Sequence, residues 1–173
     1  MNRYEEMRWV LVDQIVDLAV STQLYVDTIN QPGFSKENVK HSAMIRMALS
    51  YTVLNLAKLW ECLDHYGKEI NLLPEPLRTN CISLRSKLES MKVFQFRSKY
   101  IAHLIDKDTS KPLSLRDGQK YLSNIAGNNL DDLSVFFDWV CPPKGHSLDN
   151  TVVGTVTDLR DYCNELCSSD NRI

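Results

Sequence analysis

Apolar residues recur every three to four positions over most of this chain, the spacing of amphipathic helices rather than the alternation of strands. From about Tyr4 to Ile29, the residues Trp9, Val12, Ile15, Val16, Ala19, Val20 and Val26 form one such stripe, which stops at Asn30-Gln31-Pro32-Gly33. Ser35 is suited to cap a second, very long helix from Lys36 to about Tyr66, with Met44, Met47, Leu54, Leu59 and Leu63 in its core stripe. Two long helices joined by a short turn predict an antiparallel hairpin. Pro74-Glu75-Pro76 opens a third helix through Ile82, Leu84 and Leu88 to about Glu89, because a proline in the first turn removes no hydrogen bond. A fourth follows from Val93 to Ile105.

Asp106 to Pro112 is a polar loop. Ser114, with Asp117 three residues later, has the spacing of a capping box for a short helix to Ala126, stopped by Gly127. Asp131 to Val140 is a second short helix, Cys141 to Asn150 an irregular connection, and Thr151 to Leu166 the last helix. The chain has six glycines and six prolines among 173 residues, so breaks are few. No repeat, low-complexity tract or linker divides it. The expected architecture is all-α: one domain over residues 1–173, an up-and-down bundle of four long helices with additional short helices.

The overall charge of −2 hides an uneven distribution. Between Leu77 and Lys120 ten basic residues stand against four acids, a net of +6, while the segments before and after carry −3 and −5. A basic middle of this kind attracts polyanions such as RNA. No apolar run approaches the roughly 18 residues that span a bilayer, and the acids Glu5 and Glu6 interrupt what a signal peptide would keep basic and apolar. The expectation is a cytoplasmic protein with no membrane partner. Five cysteines without a C-x-x-C pair suit reduced, mostly buried thiols. Cys163 and Cys167 sit one helical turn apart, but with the distant His146 they fall short of a zinc site.

The stretch richest in chemistry is Phe96-Arg97-Ser98-Lys99-Tyr100-Ile101-Ala102-His103. Turning about 100° per residue from Phe94, Ile101 and Ile105 fall beside Phe94 on one face. Phe96, Lys99, Tyr100 and His103 fall on the opposite face, with Arg97 on its shoulder. That second face is too aromatic for plain solvent and too polar for a core, which suits an interface or a ligand cleft.

Arg97 and His103, with five residues between them, resemble the marker of the HEPN superfamily (higher eukaryotes and prokaryotes nucleotide-binding), whose members are helical bundles carrying an Arg and a His separated by four to six residues. The wording Arg-x-Lys-Tyr-Ile-Ala-His is similar to the form found in prokaryotic members of the phage-defence, abortive-infection type. Ser98 stands where many active HEPN ribonucleases have Asn, Asp or His. The resemblance implies metal-independent RNA cleavage at a cleft between two protomers, with no cofactor. Arg97 would stabilise the phosphorane charge and His103 would move or orient a proton, these two being the catalytic residues. Lys99 would hold a backbone phosphate and Tyr100 stack a base, as RNA-binding residues. A homodimer follows, with an antitoxin or another defence-system protein as a further partner.

Two other readings stand beside this one: a non-catalytic module that binds RNA, nucleotide or protein, and a helical scaffold. The acids Glu61 and Asp64, with Trp60 and His65, close the second helix and suit a solvated or partner-facing rim. No nucleophile elbow and no glycine-rich phosphate loop is present.

Overall fold

The computed structural model describes residues 2–98 and 114–169, and every regular element among them is a helix. Asn2 starts α1 (Arg3–Ile29) by accepting a hydrogen bond from the Tyr4 N–H at 3.2 Å, and Glu5 and Glu6 lie against the positive end of the helix dipole. α2 (Val39–His65) returns antiparallel to α1. The Ser21 and Thr52 hydroxyls meet at 2.8 Å between the two helices, and Arg3 donates to the His65 carbonyl at 3.1 Å where the start of α1 reaches the end of α2.

The cap of α2 is Asn38 rather than Ser35. A turn closed by the Asn38 N–H on the Ser35 carbonyl at 3.1 Å delays the helix, and the Asn38 side chain then accepts from the Lys40 N–H at 2.9 Å. A short α3 (Gly67–Asn71) leads into α4 (Glu75–Ser90), whose first turn holds Pro76. Lys92, at a left-handed φ of 57°, separates α4 from α5 (Val93–Phe96), which passes into a wider, π-type turn at Arg97 and Ser98. The remaining helices are α6 (Leu115–Ala126), α7 (Leu130–Val140) and α8 (Val152–Ser169).

The ring of the bundle is α1 on α2, α2 on α4, α4 on α8 and α8 on α1. α5 leans on α2, α6 on α5, and α7 closes onto α1, where Phe137 stacks on Tyr25 with ring centroids 4.1 Å apart. The capping box of α6 is present: the Asp117 N–H donates to Ser114 Oγ at 3.2 Å, and the Ser114 N–H to Asp117 Oδ2 at 3.0 Å. Gly127 ends this helix at a φ of 91°, a backbone setting that side chains resist.

The core stripe of α1 differs from the expected one. Met7, Leu11, Gln14, Leu18, Ser21, Tyr25 and Thr28 are buried, whereas Trp9, Val16 and Val20 are exposed. In α2, Leu59 and Leu63 are buried as expected, Met44 and Leu54 are half-buried, and Met47 faces out. Ile82 of α4 is likewise exposed while Cys81, Leu84 and Leu88 go inside. Where α1 meets α2, Ser21 and Thr52 are small enough to let the helices approach closely and their hydroxyls find partners: Ser21 donates to the Leu18 carbonyl at 3.0 Å, and Thr52 reaches the Ala48 carbonyl at 2.9 Å.

Candidate functional site

The candidate site lies where the end of α2 meets α5. Acidic side chains at Glu61 and Asp64, three residues apart and so on one flank of α2, receive two arginines from the basic middle of the chain. Arg97 pairs with Glu61, and Arg85 Nη2 lies 2.6 Å from Asp64 Oδ1. Trp60 and Phe94 pack beside them with ring centroids 5.7 Å apart. The Arg97 side chain as a whole is 37% accessible, while the Nη1 atom that faces Glu61 is buried. The Trp60 indole N–H is buried with no partner among the described residues. Ser98 Oγ donates to the Gln95 carbonyl at 3.4 Å, which ties the hydroxyl to the backbone.

The aromatic assignment of this segment is reversed relative to the sequence expectation. Phe96 is fully buried in the chain's own core, and Phe94 is 43% exposed against Trp60. Val93 and Phe96, at i and i+3, are both buried and together set the phase of α5; an aromatic face turned outward through Phe96 does not exist. Phe96 is thereby removed from the face expected to meet a twofold mate, and the other residues of that face, Tyr100 and His103, lie outside the described residues. His103, Lys99 and Tyr100, with Lys107 and Lys111, lie outside the described residues, so of the four expected site residues the structure places Arg97 alone.

The basic middle is also less positive at close range than its residue count implies. Arg78 pairs with Glu75, Arg85 with Asp64 and Arg97 with Glu61, while the Lys87 ammonium sits 3.8 Å from the centre of the Trp139 ring. Burial lowers the Lys87 pKa. Lys92, Arg116 and Lys120 are exposed.

The chain matches no known family, and no curated protein matches it. Among solved structures it is similar to the integron cassette protein Vpc_cass2 from the mobile metagenome of V. paracholerae, with a TM-score of 0.75 and 22% identity, covering 94% of this chain and 96% of that one. The likeness is one of fold.

Cys163 is buried in the core and Cys167 half-buried, and among the described residues no three His, Cys, Asp or Glu side chains gather as a metal site. His146 is exposed on the connection before α8. No helix among the described residues is long and apolar enough to cross a membrane. The sequence placed Glu61 and Asp64 on a solvated or partner-facing rim, and both are about half exposed; what it did not foresee is that they pair with Arg97 and Arg85. Their three-residue spacing, set against an arginine-rich segment, was the available signal.

Proposed function

We propose that this protein is a HEPN-like, metal-independent endoribonuclease of the phage-defence or toxin type, acting in the cytoplasm as a homodimer. The observation that carries the reading is the partly exposed Arg97 side chain, paired with Glu61 at the edge of the bundle. A planar fork already held in place binds phosphate oxygens with little reorganisation. The ribose 2′-hydroxyl attacks the adjacent phosphorus, its proton leaving to a base, and the 5′-oxygen departs with a proton. The products are a 2′,3′-cyclic phosphate and a free 5′-hydroxyl. Arg97 stabilises the charge on the phosphorane, His103 handles a proton, Lys99 holds a neighbouring phosphate and Tyr100 stacks a base. An antitoxin or another defence protein would restrain the activity.

A second reading is favoured by a specific contact. With its hydroxyl committed to the Gln95 carbonyl, Ser98 is poorly placed to assist chemistry next to Arg97, as suits a non-catalytic RNA- or nucleotide-binding member. Incubating the purified protein with mixed RNA in EDTA, beside the Arg97→Ala and His103→Ala variants, separates the two. The enzyme reading expects cleavage by wild type, loss of about 10²- to 10⁴-fold in His103→Ala with binding retained, and weakened binding in Arg97→Ala. Intact RNA under all conditions transfers the conclusion to the binding module, and absence of binding to a scaffold.

A further inference from the structure

The outer side of the α1–α2 hairpin is more apolar than a solvated face requires. Trp9 is 56% exposed, Val16 55%, Val20 60%, Met47 64% and Tyr51 42%. They do not scatter. On α1 the outer positions Trp9, Asp13, Val16, Val20, Gln23 and Asp27 follow spacings of four and three, and on α2 Met47, Tyr51, Leu54, Lys58 and Glu61 do the same. Such spacing is the seam of a helix that packs lengthwise against another helix. α1 already uses one seam inside the bundle, from Met7 to Thr28, and carries this second one on its other side. Between the two outer seams runs a groove of about 390 Å³ lined by Val20, Leu24, Met47, Tyr51 and Leu54, among others.

Charge identifies the occupant. From Trp9 to Ile29 the charged residues of α1 are Asp13, Asp17 and Asp27, all acidic; from Val39 to Trp60 those of α2 are Lys40, Arg46 and Lys58, all basic. Among the described residues none of these acids forms an ion pair with Arg46 or Lys58 inside the chain. The Ser21–Thr52 contact sets the register of the hairpin, so Asp27 lies level with Arg46, and Asp13 and Asp17 bracket the level of Lys58.

We propose that this face binds a second copy of the chain, with α1 of each copy lying on α2 of the other. Two hairpins meeting around a twofold have two choices. An axis across the helices sets α1 on α1, acid against acid, and α2 on α2, base against base. An axis along the helices sets Asp27 against Arg46 and Asp13 and Asp17 against Lys58, with the apolar residues sealed between. Trp9 to Asp27 spans about 27 Å, and two helices about 10 Å across give a face on the order of 500 Å² per copy. The total of about 1,000 Å² sits at the lower bound for a specific interface, so the dimer is concentration-dependent. Because the outer seam of α2 ends at Glu61, the face runs up to the Arg97 site. The inference does not rest on the ribonuclease reading, and its readout is mass rather than cleavage.

Sedimentation velocity of the full chain from about 1 to 200 µM is expected to show conversion from monomer to dimer across the range. Val20→Asp and Met47→Glu, both at exposed positions, each weaken association by about tenfold or more with unchanged helical circular dichroism. Asp27→Arg and Arg46→Asp each weaken it alone, and the two together restore it. A monomer at every concentration overturns the proposal, as does a dimer indifferent to both apolar variants. A charge swap that fails to restore the dimer overturns the arrangement of α1 on α2. If one apolar variant unfolds, the other still decides.

Discussion

Phe94 and Phe96 differ by two positions and by everything that decides a side chain's cost. Phe96 is fully enclosed, so Phe96→Ala should cost about 3 to 5 kcal/mol in urea unfolding, while Phe94→Ala should cost much less because the side chain is partly in water already. Equal losses would mean that α5 has the opposite phase. The cysteines allow a pH test. Burial pushes the Cys62, Cys81 and Cys163 thiols up to about 12, against about 8.5 for a thiol in an unfolded chain. The folded state therefore keeps these protons after the unfolded state has lost them. Their contribution is fully present below the unfolded value and is lost as pH rises from about 8.5 toward 12. Urea midpoints should fall between about pH 7.5 and 10.5, and fall less in Cys163→Ala. In the native protein a disulfide reagent at neutral pH should modify Cys141 and Cys167 first, since the other three are buried.

At the scale of elements, boundaries follow the residues that satisfy free backbone groups. Ser114 and Asp117 fix the start of α6 through reciprocal bonds, and Gly127 fixes its end. A Cβ on Gly127 would stand 2.2 Å from the Asp132 Cβ, in a backbone setting that only glycine adopts easily. Gly127→Ala should cost about 1 to 3 kcal/mol. Gly33→Ala, with a φ of 74° but nothing within 4 Å of the new carbon, should lose less. Thermal denaturation of the two variants side by side checks this, and equal losses would remove the role of Asp132. Both stops were legible in the sequence because caps act within three or four residues. The displacement of the α2 cap from Ser35 to Asn38 was not, since Ser35 and Asn38 both have suitable side chains and the intervening turn decides between them.

Over the whole molecule, the basic middle of the chain is partly answered by acids brought from α2. Glu61 and Asp64 are remote in sequence from the arginines they hold, so the local excess of +6 overstates the field that an RNA would meet. RNA affinity should fall with salt as counterions are released, with a slope reflecting the few open cations rather than all ten basic residues. Filter binding across a salt series measures this, and Glu61→Gln should steepen the slope by freeing Arg97. Unchanged binding in Glu61→Gln would remove that pair from the RNA surface.

The sequence by itself determined α1, α2, α4 and α8 with most of their limits, and the closing of α1 on α2, because periodicity, caps and prolines act over a few residues; it did not show the short α3, and the expected continuation of α5 to Ile105 lies outside the described residues. It also singled out Arg97, which lies just after α5 and pairs with Glu61. Only the tertiary structure decided which side of α1 faces inward. The outer side of α1 offers Trp9, Val16 and Val20 among Asp13, Gln23 and Asp27, while the buried side runs through Met7, Leu11, Leu18 and Tyr25 with Gln14, Ser21 and Thr28 among them, Ser21 meeting Thr52 of α2. Both sides mix apolar and polar residues, so the three-to-four spacing alone does not choose between them; packing against the neighbour that each face meets does. The same holds for Glu61, whose role depends on an arginine delivered by a distant part of the chain.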